Sequence, residues 1–293
     1  MHEIVGTFSC QRASPRPAFR TGRASCFIFI LWAVPGFLLS SCSSAPVSGR
    51  SQFILPNFDS KTETQMGLKA YQEVVSKGPL SKDPKILEMV NRVGRKIADV
   101  VEDRVKAKKI GLSDAPHYQW EFTVIDDPKT INAFALPGGK VAIYTGILPL
   151  TRDEAGLATV LGHEIGHAIA RHGVERMSTG VLAEIGAAGL EALLGGGGNP
   201  QQEAVLHQAF GIGTSVGVML PFERSQESEA DQIGLNLMAM AGYNPQEAIG
   251  FWERMAAESK NQTPEFLSTH PTDKKRIEEI KRWLPEAMKL YHP

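Results

Sequence analysis

The chain has 293 residues, of which 42% are hydrophobic, and a formal net charge of −1 at pH 7. This length is sufficient for a domain with a sizeable hydrophobic core. The near-neutral charge gives no reason to expect nucleic-acid binding, because nucleic-acid-binding proteins usually carry an excess of basic residues.

The first 41 residues have the features of a targeting signal. Four arginines precede a 13-residue apolar stretch at 27–39, which is too short to span a membrane. The stretch runs into Leu39-Ser-Ser-Cys42, which resembles the lipobox of bacterial lipoproteins. We therefore expect residues 1–41 to be removed as a lipoprotein signal peptide and Cys42 to carry lipid. An uncleaved membrane anchor is the alternative.

Removal of this leader changes the charge and the cysteine content of the mature chain. Four arginines and one glutamate are lost, so the net charge falls from −1 to −4, and Cys10 and Cys26 are lost with them. No disulfide then remains, and the lipid at Cys42 attaches the protein to a membrane. Ser43 resembles an outer-membrane sorting signal, so the predicted location is the outer membrane of a bacterial cell envelope, facing the periplasm.

The remaining 252 residues predict one mostly helical α+β domain at 60–293, preceded by a polar tether at 42–59. Apolar spacing and turn residues predict these elements: helices at 61–76, 83–106 and 274–290, strands at 120–125 and 141–147, an extended segment at 131–136, and a turn at Pro137-Gly138-Gly139. A small sheet of this kind presents an edge to which an extended peptide can add through main-chain hydrogen bonds.

The next helix is predicted to start at Thr151 as N-cap, with Glu154 completing a capping box, and to run to about His172 as a half-buried amphipathic helix. It contains the sequence His163-Glu164-Ile-Gly-His167. The two histidines lie one turn apart on one face, so they can hold a single metal ion. Glu164 lies about 100° around the helix from His163, within reach of a metal-bound water. This spacing is typical of zinc peptidases. The alternative is that two surface histidines fall at helical spacing by chance.

A catalytic zinc takes three protein ligands and keeps one position for water. On an unbroken helix, His172 lies about 180° from His163, and Glu175 lies roughly 12 Å along the axis from His167. Neither can then share the ion, so both are expected to face solvent or to support the ligands indirectly.

Residues 178–220 contain two apolar stretches, 181–194 and 204–220, separated by Gly195-Gly-Gly-Gly-Asn-Pro200. Neither stretch is long enough for a transmembrane helix. They predict a helical hairpin packed on the domain or, alternatively, a mobile lid or a surface that contacts a membrane or a partner.

The third ligand is expected from the helix that begins near Ser225. Glu227 and Asp231 are four residues apart and share a face, so Glu227 can bind zinc while Asp231 accepts a hydrogen bond from a ligand imidazole. Glu229 falls on the opposite side of that helix. The alternative is an ordinary acidic first turn, which the helix dipole favours.

Together these motifs resemble the gluzincin metallopeptidase family of the CAAX prenyl proteases, HtpX and BepA, and within it the short, repeat-free bacterial lipoprotein branch. The resemblance covers nearly all of 48–293 and rests on four motifs: His163–His167, Arg224–Asp231, Asn132–Gly139 and Ser268–Ile277. It implies a zincin-like domain with one Zn²⁺ per chain, held by His163, His167 and Glu227. It also implies that Glu164 is the general base and that Asp231 orients a ligand.

His270 matches a family histidine that in some members approaches the metal as a fourth, inhibitory ligand. Pro271 places it in a loop, where a lone histidine is more often simply packed or solvated. If His270 fills the open position of the zinc, it displaces the nucleophilic water and holds the enzyme latent. His270 or Arg276 is also a candidate donor to the oxyanion that forms during hydrolysis.

The predicted function is therefore a zinc-dependent endopeptidase of the bacterial cell envelope that hydrolyses misfolded or unassembled proteins, a role in protein quality control. Its expected partners are protein or peptide substrates and, through lipidated Cys42, the membrane; envelope assembly partners are not identified. A membrane-tethered, zinc-containing chaperone or assembly factor with little proteolytic activity is the alternative, and it would not need Glu164. Another zinc hydrolase built on the same helix motif is a further alternative.

Overall fold

A small mixed sheet packs beside a set of helices, and the predicted α+β class is confirmed. The computed structural model describes residues 42–181, 224–259, 264–271 and 274–293. The strands are β1 (Cys42–Ser44), β2 (Ser51–Phe53), β3 (Glu121–Ile125), β4 (Ala133–Leu136) and β5 (Lys140–Tyr144). The helices are α1 (Ser60–Lys77), α2 (Pro84–Glu102), α3 (Arg104–Lys109), α4 (Leu148–Thr151), α5 (Glu154–Ile169), α6 (Arg224–Met240), α7 (Glu247–Glu258), α8 (Glu265–Thr269) and α9 (Lys274–Leu290).

Aspartate caps set the starts of the first three helices. The carboxylates of Asp59 and Asp83 accept backbone N–H groups at the starts of α1 and α2. The helix predicted at 83–106 is interrupted, because Asp103 ends α2 and caps α3 by accepting the N–H groups of Val105 and Lys106. A cap residue inside a helical apolar pattern therefore divides the predicted helix in two.

The sheet has the strand order β3-β5-β4, with β5 in the middle. Strand β3 is parallel to β5, whereas β4 is antiparallel to it, with Phe134 opposite Ala142. The predicted turn at Pro137-Gly138-Gly139 joins β4 to β5, and both glycines adopt positive φ angles of 86° and 84°. Strand β4 is therefore an edge strand of this sheet, and it packs against α5.

Helix α5 occupies the centre of the main hydrophobic core. Every residue from Gly156 to Ile169 is buried, because α2, α6, α7 and the sheet surround the helix. The sequence predicted a half-buried amphipathic helix, so this part of the prediction is wrong. A helix surrounded on all sides needs small or apolar residues on every face, and α5 has them apart from the motif side chains.

Helix α5 also ends earlier than its apolar pattern predicts. It stops at Ile169, a two-residue turn follows, and residues 172–181 are helical again. Arg171 in the turn has a φ of 58°, a left-handed conformation that is uncommon outside glycine. The turn redirects the chain, so positions beyond 170 no longer follow the angular spacing of α5.

The segment 42–59 differs from the polar tether that its composition predicted. Strands β1 and β2 pair as an antiparallel hairpin, with Ser43 opposite Gln52. Ile54 and Phe58 are buried in a second hydrophobic cluster with residues of α1, the sheet and the helical segment 172–181. These apolar side chains are few among the serines and prolines, yet their burial holds the segment on the domain.

Two predicted features lie outside the described residues: the leader at 1–41 and most of the 178–220 region, from 182 onward. Within the described residues, no helix combines the length and the apolar composition that crossing a membrane requires.

Candidate metal centre

The start of α5 is set by Asp153, whose carboxylate accepts the N–H of Gly156 at 2.9 Å. The predicted N-cap, Thr151, instead ends α4, and its hydroxyl donates to the Leu148 carbonyl at 2.9 Å. The proline after Leu148 starts this separate short helix, which displaces the cap by two residues. The predicted capping box is therefore wrong, although the predicted metal-binding face of α5 is unaffected.

Close contact between α5 and α6 brings the two sequence motifs together. A Cβ atom added at Gly162 would lie 2.9 Å from the Gly234 carbonyl oxygen, and one added at Gly166 would lie 2.9 Å from the Ala230 carbonyl oxygen. Only glycine at these positions permits the helices to approach so closely. The approach places Glu227 and Asp231 of α6 against the two motif histidines of α5.

Four side chains converge at this helix contact: His163, His167, Glu227 and His270. Each offers one ligand atom, and these atoms lie within 4.8 Å of one another. The Nε2 atoms of His163 and His167 are 3.0 Å apart, and Nδ1 of His270 is 2.9 Å from Oε1 of Glu227. All four residues are at most 4% exposed. The structure therefore brings together the three predicted ligands and the predicted fourth one.

The donor groups of this cluster suit a zinc ion. Burial and the neighbouring His163 hold the pKa of His167 well below its usual value, so its imidazole is neutral. Burial alone raises the pKa of Glu227, but His270 and Arg276 outweigh it and hold that pKa well below the usual range. Oε2 of Glu227 is buried and lies 2.7 Å from Nη1 of Arg276 and 3.5 Å from Nε2 of His163. A neutral imidazole and a carboxylate are donors that zinc binds.

Glu164 lies beside the group and contacts the edge strand. Its Oε2 accepts the N–H of Ala135 in β4 at 3.2 Å, while its Oε1 is buried without a hydrogen bond, 3.5 Å from Nε2 of His270. Burial raises the pKa of this carboxyl to about 8. A carboxylate with one free oxygen and a raised pKa can accept a proton, as a general base must.

Asp231 and Arg276 support His163 from behind. Oδ1 of Asp231 lies 2.9 Å from Nδ1 of His163, as the sequence analysis expected. Arg276 donates to both carboxylate oxygens of Asp231 at 2.7 and 2.8 Å, and its Nη1 lies 2.7 Å from Glu227. Its guanidinium also stacks 3.4 Å above the ring of Trp252. Arg276 therefore pairs with two buried carboxylates. The sequence had instead suggested it as a candidate donor to the oxyanion.

A second set of supporting residues lies behind His167, at positions for which the sequence left open either exposure to solvent or indirect support of the ligands. His172 is fully buried, with Nδ1 2.9 Å from Nδ1 of His167 and Nε2 2.9 Å from Glu229. The turn at 170–171 swings His172 back toward the centre, so the expectation that it points away is wrong. Glu175 is also buried and pairs with Arg50 at 2.7 Å. Neither turn residue, Ala170 or Arg171, is a proline or a glycine, so these two residues carry no signal for it.

Similar proteins include two fungal enzymes and one bacterial enzyme. The mitochondrial metalloendopeptidase OMA1 of Schizosaccharomyces pombe is 39% identical over 248 residues, which cover 83% of this chain and 66% of that protein. OMA1 of Saccharomyces cerevisiae is 34% identical over 268 residues, 87% of this chain and 72% of that protein. The Escherichia coli beta-barrel assembly-enhancing protease is 28% identical over 221 residues, 73% of this chain and 42% of that protein.

These relatives contradict the predicted location. The most similar of the three are mitochondrial enzymes, and the bacterial protease is more distant, so an outer-membrane, periplasm-facing lipoprotein is not the right assignment. The bacterial lipoprotein branch is likewise not supported. An arginine-rich, acid-poor leader is typical of several targeting signals, including mitochondrial transit peptides, which explains why composition misled the prediction.

The model of peptidase family M48 matches residues 92–284, a range that contains α5, α6 and every residue of the converging group. The match confirms the predicted zinc cofactor and the predicted metalloendopeptidase, and it argues against a chaperone without proteolytic chemistry. With two motif histidines and a glutamate from a second helix converging in a buried site, the chain belongs to peptidase family M48.

Proposed function

We propose that this protein is an endopeptidase that cleaves extended segments of misfolded or unassembled proteins. In this proposal His163, His167 and Glu227 hold the catalytic zinc, and Glu164 is the general base. The observation that carries it is the convergence of these ligand atoms within 4.8 Å in a buried site, with Glu164 beside them.

The chain's own residues account for the proton transfers. When bound, zinc lowers the pKa of a water ligand and polarises the scissile carbonyl. Glu164 then takes a proton on Oε1, which makes no hydrogen bond in the structure, and passes it to the leaving amine. The N–H of Ala135 holds Oε2, so the carboxylate keeps its orientation during both transfers.

Strand β4 supports binding of an extended substrate. Tyr144 donates to the Asn132 carbonyl, so in an antiparallel ladder the backbone groups of Ala133 and Ala135 point away from β5. Ala133 is buried and its N–H donates to the side chain of Asn132, so an extended chain can approach this edge only at Ala135, which is partly exposed and has a small side chain. A substrate bound by main-chain hydrogen bonds along β4 lies next to Glu164, and such binding selects unfolded chain rather than a particular sequence.

A small cleft, with room for about one water molecule, lies next to the metal group. It is lined by Ala135, Pro137, Glu164, Arg171, Val174 and His270. The cleft lies on the β4 side of α5, in agreement with a substrate that runs along this strand.

His270 is proposed to be a brake on this activity. Its Nδ1 lies 3.2 Å from Nε2 of His163 and 2.9 Å from Glu227, so it occupies the position that a nucleophilic water needs. If it acts in this way, His270→Ala increases the rate of casein cleavage at unchanged zinc content. An unchanged rate in this variant would remove the brake from the proposal.

The principal test is casein cleavage and zinc analysis of the full-length protein and of Glu164→Gln. We expect the variant to keep about one zinc per chain and to lose at least about 10²-fold in rate, because the amide cannot accept the proton. Glu154→Gln, on the exposed first turn of the same helix, is the matched control and should cleave normally. Cleavage by Glu164→Gln at the wild-type rate would show that the base is another group.

Membrane attachment through Cys42 is a separate proposal, which rests on the apolar stretch and Leu39-Ser-Ser-Cys42. Intact mass measurement of the protein purified from membranes tests it. A lipid adduct on an N-terminal Cys42 supports attachment, whereas an unmodified cysteine contradicts it.

A further inference from the structure

The two motif histidines have different supports behind them. His163 contacts Asp231, a carboxylate four residues after Glu227 on the same helix. His167 contacts the imidazole of His172, which in turn lies 2.9 Å from Oε2 of Glu229. A neutral imidazole has one donor and one acceptor nitrogen. His172 can therefore accept the Nδ1 proton of His167 and donate its own Nε2 proton to Glu229.

Glu229, the carboxylate at the end of this series of hydrogen bonds, is held by the N-terminal hairpin. Arg50, next to β2, donates from Nε to Oε1 of Glu229 at 2.8 Å, and Ser48 donates to the same oxygen at 2.6 Å. Glu229 thus receives donors from the hairpin on one side and faces Nε2 of His172 on the other.

Arg50 also connects Glu229 to the helical segment that carries His172. Its Nη1 and Nη2 atoms donate to the two carboxylate oxygens of Glu175, each at 2.7 Å. The planar guanidinium therefore bridges Glu175 in the segment 172–181 and Glu229 in α6. Gln52 adds a bond to the carbonyl of Ala170, in the turn that redirects the chain toward His167.

We propose that Arg50 is a positioning residue of the metal centre. Acting through Glu229 and His172, it holds Nδ1–H of His167 in a hydrogen bond, so that the lone pair of Nε2 of His167 points toward the other ligands. This inference rests on the proposed zinc site. Arg50 lies outside the matched range 92–284, so the functional unit of this chain extends upstream to include the N-terminal hairpin.

The test compares Arg50→Gln, Glu229→Gln and the control Arg92→Gln in the full-length protein. Arg92 also pairs with two glutamates, but it does so on the surface, away from the metal group. Zinc affinity is measured by competition with a chromogenic chelator, and ligand geometry is measured by the visible spectrum of the Co²⁺-substituted protein. We expect zinc affinity to fall about 10-fold to 100-fold in the first two variants, as for other groups that orient a metal-binding histidine.

Two further comparisons separate positioning from folding. Arg50→Lys keeps the charge but cannot bridge two carboxylates, so its Co²⁺ spectrum and zinc affinity should lie between those of Arg50→Gln and wild type. Ile54→Ala weakens the docking of the same N-terminal segment through its apolar cluster, and it should lower the melting temperature while leaving the Co²⁺ spectrum unchanged.

The outcomes distinguish this inference from the proposed function. If wild type binds zinc tightly, His167→Ala loses it, and Arg50→Gln retains wild-type affinity and spectrum, the positioning role is overturned while the zinc site stands. Equal losses in Arg50→Gln and Arg92→Gln would also overturn it, since the effect would not be specific. If wild type itself binds no zinc, the proposed function fails first.

Discussion

The close approach of α5 and α6 predicts a specific effect of one methyl group. In Gly166→Ala the new Cβ would lie 2.9 Å from the carbonyl oxygen of Ala230 and 3.2 Å from its Cα. Ordinary contacts begin near 3.4 Å, so the helices must separate by about 0.5 Å. Because both contacting atoms belong to the backbone of α6, no side-chain rotation can relieve the overlap.

The magnitude follows from two opposing contributions. Overpacking of a well-packed core costs about 1–3 kcal/mol, and alanine recovers up to about 1 kcal/mol through its higher helix propensity. We therefore expect the free energy of unfolding to fall by about 1–2 kcal/mol, which lowers Tm by about 2–8 °C. Zinc affinity should fall as well, because the separation moves Glu227 and Asp231 away from His163.

Urea unfolding and chelator competition measure these two effects. Gly250→Ala is the matched control. Its Cβ would contact only Nη1 at the end of the Arg254 side chain, which can move aside. That variant should be as stable as wild type or slightly more stable. If Gly166→Ala matched Gly250→Ala in stability and kept wild-type zinc affinity, the close helix contact would not be what holds the ligands together.

Three other changes should have measurable effects. Asp231→Asn should weaken zinc binding about 10-fold to 100-fold in buffered-zinc titrations, because the amide is a poorer acceptor for His163; undiminished affinity would contradict its orienting role. Arg276→Met should lower the free energy of urea unfolding by about 3–5 kcal/mol, since two buried carboxylates lose their cation, whereas exposed Arg282→Met should not. EDTA should lower the Tm of wild type, since zinc at about 100 times its Kd adds about 2.7 kcal/mol, and superimposable melting curves would contradict a metal centre.

Much of the fold could be predicted because it depends on local patterns. Apolar residues at helical spacing identified α1, α2 and α9, and Pro137-Gly138-Gly139 identified the turn before β5. The boundaries were less predictable, since Asp103 and Asp153 compete with the hydrophobic pattern as caps. The segment 42–59 was misjudged, because its few apolar residues are buried only through contacts with distant parts of the chain.

For the metal group, the spacing within each helix was sufficient to nominate residues. His163 and His167 share a face through the four-residue repeat of α5, as do Glu227 and Asp231 in α6, so a sequence alone can propose both pairs. The family resemblance added His270, which the structure places within 3.2 Å of His163. The spacing within each helix could not show that these pairs meet, since no local interaction joins two helices that are distant in the sequence.

Residue spacing within two helices is enough to specify the chemistry of this site: two histidines and a carboxylate on one helical turn, and two more carboxylates on another. The support of these groups depends on tertiary contacts. The left-handed turn at Arg171 brings His172 to His167, and the hairpin brings Arg50 to Glu229. The physical reason is that helical spacing is set by backbone hydrogen bonds within a few residues, whereas these contacts join residues far apart in the chain and form only when the whole core packs.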